Sequence, residues 1–138
     1  MGNMANKKLL SYNIDELKEK LIFFYFLKGG FFGGHESIEV IKNNDRIKYM
    51  YKHDYKRIHI KYNFPKEKWD IFIDKIFNEG IHKWKKSYNN NDICDGEQWE
   101  LKMEFCDLSS FKSSGSNEYP DNWDEFRAVI DEYFPQMR

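Results

Sequence analysis

The stretch RIHIKYNFPKEKWDIFIDKIF, residues 57–77, changes its hydrophobic period at Pro65. Before the proline, apolar and polar residues alternate over 58–64, which is the pattern of a strand with one buried face. After it, the apolar residues of 69–77 recur at intervals of three and four, which predicts an amphipathic helix that ends at Gly80. The stretch therefore predicts a domain in which a helix packs against a half-buried sheet.

Strand patterns occur on both sides of this stretch. Residues 21–27 form a continuous aromatic run, which predicts a strand that is apolar on both faces. Residues 38–51 alternate around the turn-forming residues 43–45, which predicts a β-hairpin. Further along, residues 97–106 alternate, and a short strand around 111–113 is expected to pair with them.

The helices complete the predicted fold. An apolar stripe at residues 123–134 predicts a C-terminal helix capped by Asp121 or Asn122, and Asn13 caps a short N-terminal helical turn. We therefore predict the α+β class: a two-layer sandwich with a largely antiparallel sheet of five or six strands and two amphipathic helices on one face. A chain of 138 residues is long enough for one such domain, covering residues 1–138.

The composition excludes several classes of protein. With 41% hydrophobic, 18% aromatic and 33% charged residues, the chain is neither disordered, nor collagen-like, nor a coiled coil. Its longest apolar run, residues 21–27, is far shorter than the ~20 residues of a membrane helix. Lys7 and Lys8 precede only two leucines, which are too few for a signal peptide. We therefore expect a soluble, cytoplasmic protein with no membrane partner.

Charges are unevenly distributed along the chain, although its net charge is only −1. Residues 42–86 contain thirteen basic and six acidic side chains, whereas residues 87–138 contain four basic and twelve acidic ones. Such a division is typical of a protein with one basic and one acidic face, each able to attract a complementary partner. The alternative is that the two halves fold against each other and form a mixed surface.

Residues with catalytic or metal-binding chemistry are scattered. Cys94 and Cys106 match no zinc or redox spacing, and no two of the four histidines have the spacing of a helical metal pair. The sequence contains no nucleophile elbow, P-loop or dinucleotide fingerprint. Asp95 and Glu97 could act as an acid and a base, but an Asp-Gly pair is more simply a turn into a strand. We predict no enzyme activity, no catalytic residues, no metal and no cofactor.

An apolar surface on the outer side of the sheet is also expected. Besides the run at 21–27, Ile41 and Met50 point away from the inward-facing set. An apolar patch with a charged rim is typical of a protein–protein surface, which favours a homodimer or a protein partner. The alternative is that the N-terminal segment, or the loop at Phe31-Phe32 between two glycine pairs, folds over this patch.

One set of residues resembles a recurring pattern in small uncharacterised bacterial proteins. In that pattern, an Asp-Gly-x-x-Trp strand is followed by a Gly-Ser-Asn-x-Tyr-Pro turn and a C-terminal helix. The residues that carry the resemblance are Asp95-Gly96, Trp99, Leu101, Gly115-Ser116-Asn117, Tyr119-Pro120, Asn122 and Phe126, with Gly29-Gly30-Phe31-Phe32-Gly33-Gly34 and Trp84 upstream. The resemblance implies a bacterial α+β domain and transfers no activity or catalytic residue.

We predict from these observations a bacterial protein-binding domain. Immunity proteins, which neutralise a toxin by covering it, are similar in size and in their acidic C-terminal portion. In this hypothesis a charge-complementary toxin domain docks on the acidic surface, or on the opposite basic strand face. The predicted partner-binding residues are Glu97, Glu100, Glu104, Asp107 and Asp124.

The same sequence is compatible with two other functions. A small ligand would bind in a pocket between two turns, and the predicted ligand-binding residues are Trp84, Asp95, Trp99, Asn117 and Tyr119. A nucleic acid would bind the basic segment 42–86, where tyrosines interleave with lysines. Nucleic acid is the weaker of the two hypotheses, because most of these tyrosines occupy the inward positions of their strands.

Overall fold

A computed structural model of the chain describes residues 8–30, 33–90 and 96–138. The described part contains seven strands in one sheet, three complete α-helices and two 3-10 turns, and residues 8–10 are also helical. The strands are β1 (Leu21–Gly30), β2 (Gly34–Asn43), β3 (Arg46–His53), β4 (Ile58–Asn63), β5 (Ser87–Asn89), β6 (Glu97–Phe105) and β7 (Ser110–Ser116). The helices are α1 (Ile14–Lys20), α2 (Lys66–Asn78) and α3 (Trp123–Tyr133), and the 3-10 turns are Ile81–Lys83 and Pro135–Met137.

The strands lie in the order β4-β3-β2-β1-β6-β7-β5. Five neighbouring pairs are antiparallel, and β5 runs parallel to β7. The predicted α+β class is confirmed, but the sheet is mixed and has seven strands rather than five or six. The strand that the sequence did not reveal, β5, is three residues long, which is too short for an alternating pattern to be visible.

Both long helices cover one face of the sheet, here called the inner face. The ring of Phe72 on α2 lies 5.3 Å from that of Phe24 on β1 and 5.1 Å from that of Phe134. Phe126 of α3 makes a similar edge-on contact with Phe26, also on β1, at 5.1 Å. All five side chains are fully buried, and such ring contacts add about 0.5–1.5 kcal/mol each to the stability gained by burial.

Hydrogen bonds fix the ends of the helices. Asn13 caps α1 as expected: its Oδ1 accepts from the Glu16 N–H at 2.8 Å, and Glu16 Oε1 accepts from the Asn13 N–H at 3.1 Å. Asn122 stands at the start of α3 but makes no side-chain cap. Its carboxamide instead accepts from Trp84 Nε1 at 2.9 Å and donates to the Glu79 carbonyl at 2.6 Å. The expected cap is therefore replaced by a link between α3 and the end of α2.

His82 lies in the first 3-10 turn and is only 5% exposed. Its ring packs 5.7 Å from the ring of Phe77, and its Nδ1 has no hydrogen-bond partner within the described residues. Burial, assisted by the charge of Lys83, lowers the pKa of His82 from 6.5 to about 4. The folded protein therefore holds this imidazole in its neutral form.

We expect the free energy of unfolding to fall by about 2–3 kcal/mol between about pH 6.5 and pH 4 because of His82. The unfolded chain takes up the proton near the usual pKa of 6.5, whereas the folded chain does so only near 4, so acid favours unfolding. Urea unfolding at several pH values measures the effect, with His82→Leu as the comparison. The two proteins have the same carboxylates, whose titration affects both equally. An equal fall in the free energy of unfolding of both proteins would therefore contradict the lowered pKa of His82.

Candidate functional site

The face of the sheet opposite the two long helices, here called the open face, has no described helix packed on it. Its centre is apolar: Phe23, Tyr25 and Leu27 point outward from β1, and Ile41 and Met50 point outward from β2 and β3. Ile41 is 49% exposed, and the other four side chains are partly exposed. Strand β1 is therefore apolar on both sides, as its sequence predicts.

The apolar centre continues into a depression of about 340 Å³ beside Ile41 and Met50. The charged residues that line it are Glu39, Arg46, Lys48 and Lys61. A concave apolar surface with a charged rim is suited to receive side chains of another protein. The expected alternative, a cover from the N-terminal segment or from Phe31-Phe32, lies outside the described residues, because residues 1–7 and 31–32 are not among them.

Tyr25 is held in place by its neighbours on the open face. Its ring stacks on that of Phe23, with centroids 6.5 Å apart and an angle of 6° between the planes. The Nζ of Lys102 lies 5.4 Å from the centroid of the Tyr25 ring. The phenol is hydrogen-bonded to Ser37, and burial raises the pKa of Tyr25. A side chain fixed in this way loses little conformational entropy when a partner binds.

The charges of the open face differ between its two halves. On β6 and β7, Glu100 lies 3.3 Å from Lys102 Nζ and 3.6 Å from Lys112 Nζ. On β3 and β4, the outward-pointing lysines and arginine form no ion pair with any described residue. These basic residues are Arg46, Lys48, Lys52 and Lys61. The β3–β4 half of the open face therefore carries the uncompensated positive charge.

The acidic residues predicted to bind a partner do not lie on one surface. Glu100 and Glu104 point outward on the open face. Glu97 lies on the other side of β6, where its carboxylate accepts a hydrogen bond from the Tyr119 hydroxyl at 3.2 Å. Asp124 belongs to the first turn of α3, in the helix layer. A single partner would therefore have to contact both layers to reach all of them.

Asp107, the fifth of these residues, is engaged locally after the end of β6. It accepts hydrogen bonds from the Ser109 N–H at 3.0 Å and from the Tyr12 hydroxyl, and it lies 3.6 Å from Lys8 Nζ. The Ser109 hydroxyl and these donors hold the pKa of the Asp107 carboxyl well below its usual range, and the carboxylate in turn raises the pKa of Tyr12 to about 12. Asp107 therefore ties the first described residues to the β6–β7 turn.

The residues predicted to bind a small ligand come together as a packed aromatic cluster. The rings of Trp84 and Trp99 are 5.7 Å apart, and Trp123 lies 4.9 Å from both Trp99 and Tyr119. Trp99 is 1% exposed and donates from Nε1 to the Glu118 carbonyl at 3.0 Å. The sequence predicted Trp123 only as part of the apolar stripe of α3. Its contact with Trp99 on β6 depends on how the helix lies across the sheet, which the sequence pattern does not show.

Two glycines in this region make room for neighbouring side chains that a larger residue would displace. A Cβ at Gly115 would overlap the indole nitrogen of Trp99, and a Cβ at Gly96 would overlap the side-chain oxygen of Asn117. Asn117 has a φ of 58°, a conformation that Asn tolerates better than most residues. These residues therefore interlock where β6 and β7 pair. Asp95, the remaining predicted ligand residue, lies outside the described residues, and the ligand site stays a prediction.

We expect Gly115→Ala to lower the free energy of unfolding by about 1–3 kcal/mol, because the added methyl group must displace the buried Trp99 indole. Urea unfolding followed by tryptophan fluorescence measures the loss. Gly33→Ala is the matched control, since a Cβ there meets nothing within 4 Å. Equal stability of Gly115→Ala and the unmodified protein would show that the indole is not held as described.

The described residues offer neither a metal site nor a membrane-spanning helix. No group of three or more His, Cys, Asp or Glu side chains among them is placed to hold a metal ion. None of the described helices has both the length and the apolar character needed to cross a bilayer. No protein-family model, curated protein or solved structure matches the chain. The resemblance to small bacterial proteins therefore stays a prediction.

Proposed function

We propose that the chain is a protein-binding domain that docks an acidic surface of its partner on the open face of the sheet. The observation that carries this proposal is the juxtaposition of an apolar centre with unpaired positive charge. Ile41 and Met50 lie directly beside Lys48 and Lys61, and the two lysines form no ion pair with another described residue. Burial of the apolar side chains would supply affinity, and the lysines would steer an acidic partner into place.

The size of the open face suits a protein partner. Neighbouring strands are about 4.8 Å apart, and each residue adds about 3.3 Å along a strand. The six longer strands therefore present a surface of roughly 25 Å in each direction. The corresponding projected area of roughly 600 Å² is of the same order as the ~800 Å² that each side contributes to a stable protein–protein interface.

Within this class, we propose that the partner is a toxin domain and that the chain is an immunity protein which neutralises it by covering it. The charge distribution favours the basic strand face as the interface. The acidic residues Glu97 and Asp124 are separated from the open face by the sheet, and Glu100 is already paired with two lysines. A basic interface implies that the docked surface of the toxin is acidic.

Nucleic acid is a less suitable partner for the same basic residues. Binding of a single strand usually relies on aromatic side chains that stack on the bases beside the cationic groups. Tyr49 and Tyr51 are 8% and 6% exposed and face the helices, so they are not available to bases on the open face. Tyr25 is the tyrosine that points outward from the centre of this face, and it is already stacked on Phe23.

The docking proposal is tested with matched variants on the two faces. Ile41→Asp and Lys48→Glu change the open face, whereas Ile71→Asp and Lys68→Glu make the same changes on α2. Ile71 is 51% exposed, close to the 49% of Ile41, so the two Asp substitutions place similar demands on folding. Each variant is used to capture proteins from a lysate of the source cells, and the captured protein is then purified and titrated calorimetrically.

We expect the open-face variants to weaken binding by about tenfold or more and the α2 variants to leave it unchanged. The captured protein should bind less tightly at high salt, and it should arrest growth when produced alone. Growth should return when the unmodified chain is co-produced, but not with Ile41→Asp. Equal losses from both faces, a self-associated chain, or capture of nucleic acid would overturn the docking proposal. A specific partner that does not arrest growth would overturn the immunity proposal alone.

A further inference from the structure

A second depression, of about 390 Å³, lies on the open face at the end of the sheet where β3 turns into β4. Its floor follows one row of the sheet, because the strand register places Leu27, Ser37, Lys52 and His59 side by side across four strands. Asp54 and Arg57, from the turn between β3 and β4, form one wall. The groups in this depression are therefore brought together by pairing of β1 to β4, which the sequence alone does not reveal.

The depression has an excess of positive charge. Lys52 and Arg57 both line it, and neither forms an ion pair with any described residue. The one carboxylate, Asp54, is held by the turn itself: Oδ1 accepts from the backbone N–H groups of His35 at 2.8 Å and Tyr55 at 2.7 Å. Both hydrogen bonds lower the pKa of Asp54, and the bond from the His35 N–H has the larger effect. The other oxygen, Oδ2, lies 3.6 Å from His35 Nδ1, and Asp54 forms no ion pair with Lys52 or Arg57.

Arg57 occupies a conformation that is costly for its residue type. Its φ is 52°, in the left-handed region, where a residue with a Cβ is disfavoured by roughly 1–2 kcal/mol. Its backbone N–H closes the turn by donating to the Asp54 carbonyl at 3.3 Å. Glycine would make the same turn without this cost. The turn itself therefore does not require the arginine side chain, which lines the depression.

We propose that this depression binds the phosphate group of a small phosphate monoester. A phosphate group carries a charge of about −1.5 to −2 at pH 7 and three acceptor oxygens. The ammonium group of Lys52 and the guanidinium group of Arg57 supply donors for these oxygens. His35 and His59 also line the depression, but Nδ1 of His35 lies 3.6 Å from Asp54 Oδ2, and Nε2 of His59 contacts the Met50 sulfur. A carboxylate would need only one of the two cations. Leu27 and Tyr25 give one side of the depression an apolar wall, against which the organic part of the ester can lie.

The depression shares Tyr25, Leu27 and Lys52 with the face on which the protein partner is proposed to dock, but its test needs neither that partner nor the natural phosphate ligand. The full-length chain is titrated with inorganic phosphate while amide NMR signals are followed, against sodium chloride at equal ionic strength. We expect shifts confined to residues 35–37, 52–59 and their neighbours on β1, with a dissociation constant on the order of 1 mM. Absence of shifts beyond those of sodium chloride, or shifts spread over all lysines, would overturn the proposal.

Arg57→Gly is the decisive variant, because it removes the guanidinium while it relieves the left-handed strain. We expect it to weaken phosphate binding by about tenfold and to unfold no more easily than the unmodified chain, so that loss of binding does not reflect loss of structure. Lys56→Ala removes an equal charge from the same turn, and Lys56 does not line the depression. It should change binding less than about twofold. Equal losses in the two variants would show a nonspecific charge effect and would overturn the site.

Two further ligands distinguish a small molecule from a phosphorylated protein as the carrier of the phosphate group. Glycerol 3-phosphate represents a small monoester, and a short phosphoserine peptide represents a modified protein. We expect glycerol 3-phosphate to bind more tightly than inorganic phosphate, because its organic part adds contacts with Leu27 and Tyr25. Tighter binding of the peptide than of glycerol 3-phosphate would overturn the assignment to a small molecule while leaving the phosphate chemistry in place.

Discussion

The edge-on contact between Phe72 and Phe24 joins the two layers of the domain. Phe72 comes from the middle of α2, and Phe24 comes from β1, the central strand of the sheet. The same Phe72 ring meets Phe134 beyond α3, so one side chain connects the central strand, a long helix and the C-terminal segment. Burial of such a side chain contributes roughly 2–3 kcal/mol. Because this packing places both long helices on one face, no described helix covers the apolar side chains on the opposite face.

The sequence predicted most of the fold because each long element has a strong period of its own. The alternation over 58–64 and the stripe over 69–77 correspond to β4 and α2, and the capping role of Asn13 is confirmed by its bonds with Glu16. The errors occur where structure depends on distant residues. Strand β5 exists only because it pairs with β7, and the side chain of Asn122 is drawn away from its helix by a tryptophan 38 positions earlier.

The candidate sites were less predictable for the same reason. Alternation alone predicts that Lys48, Lys52 and Lys61 point away from the core, and this signal predicted a basic strand face. It does not show which residue lies beside which, and the row that includes Ser37 and His59 follows only from the register of four strands. Acidic residues such as Glu97 are close to Glu100 in sequence, yet an odd number of positions separates them, so they lie on opposite faces.

The position of β1 at the centre of the sheet has a consequence for synthesis of the chain. One edge of β1 pairs with β2, which follows it immediately, whereas the other edge pairs with β6, which begins at Glu97. During synthesis, strands β1 to β4 leave the ribosome first and can pair as a meander. The other edge of β1 stays unpaired until β6 leaves the exit tunnel. An unpaired apolar edge is a template for association with other chains. We therefore expect the nascent chain to be most prone to aggregation in the interval before β6 emerges.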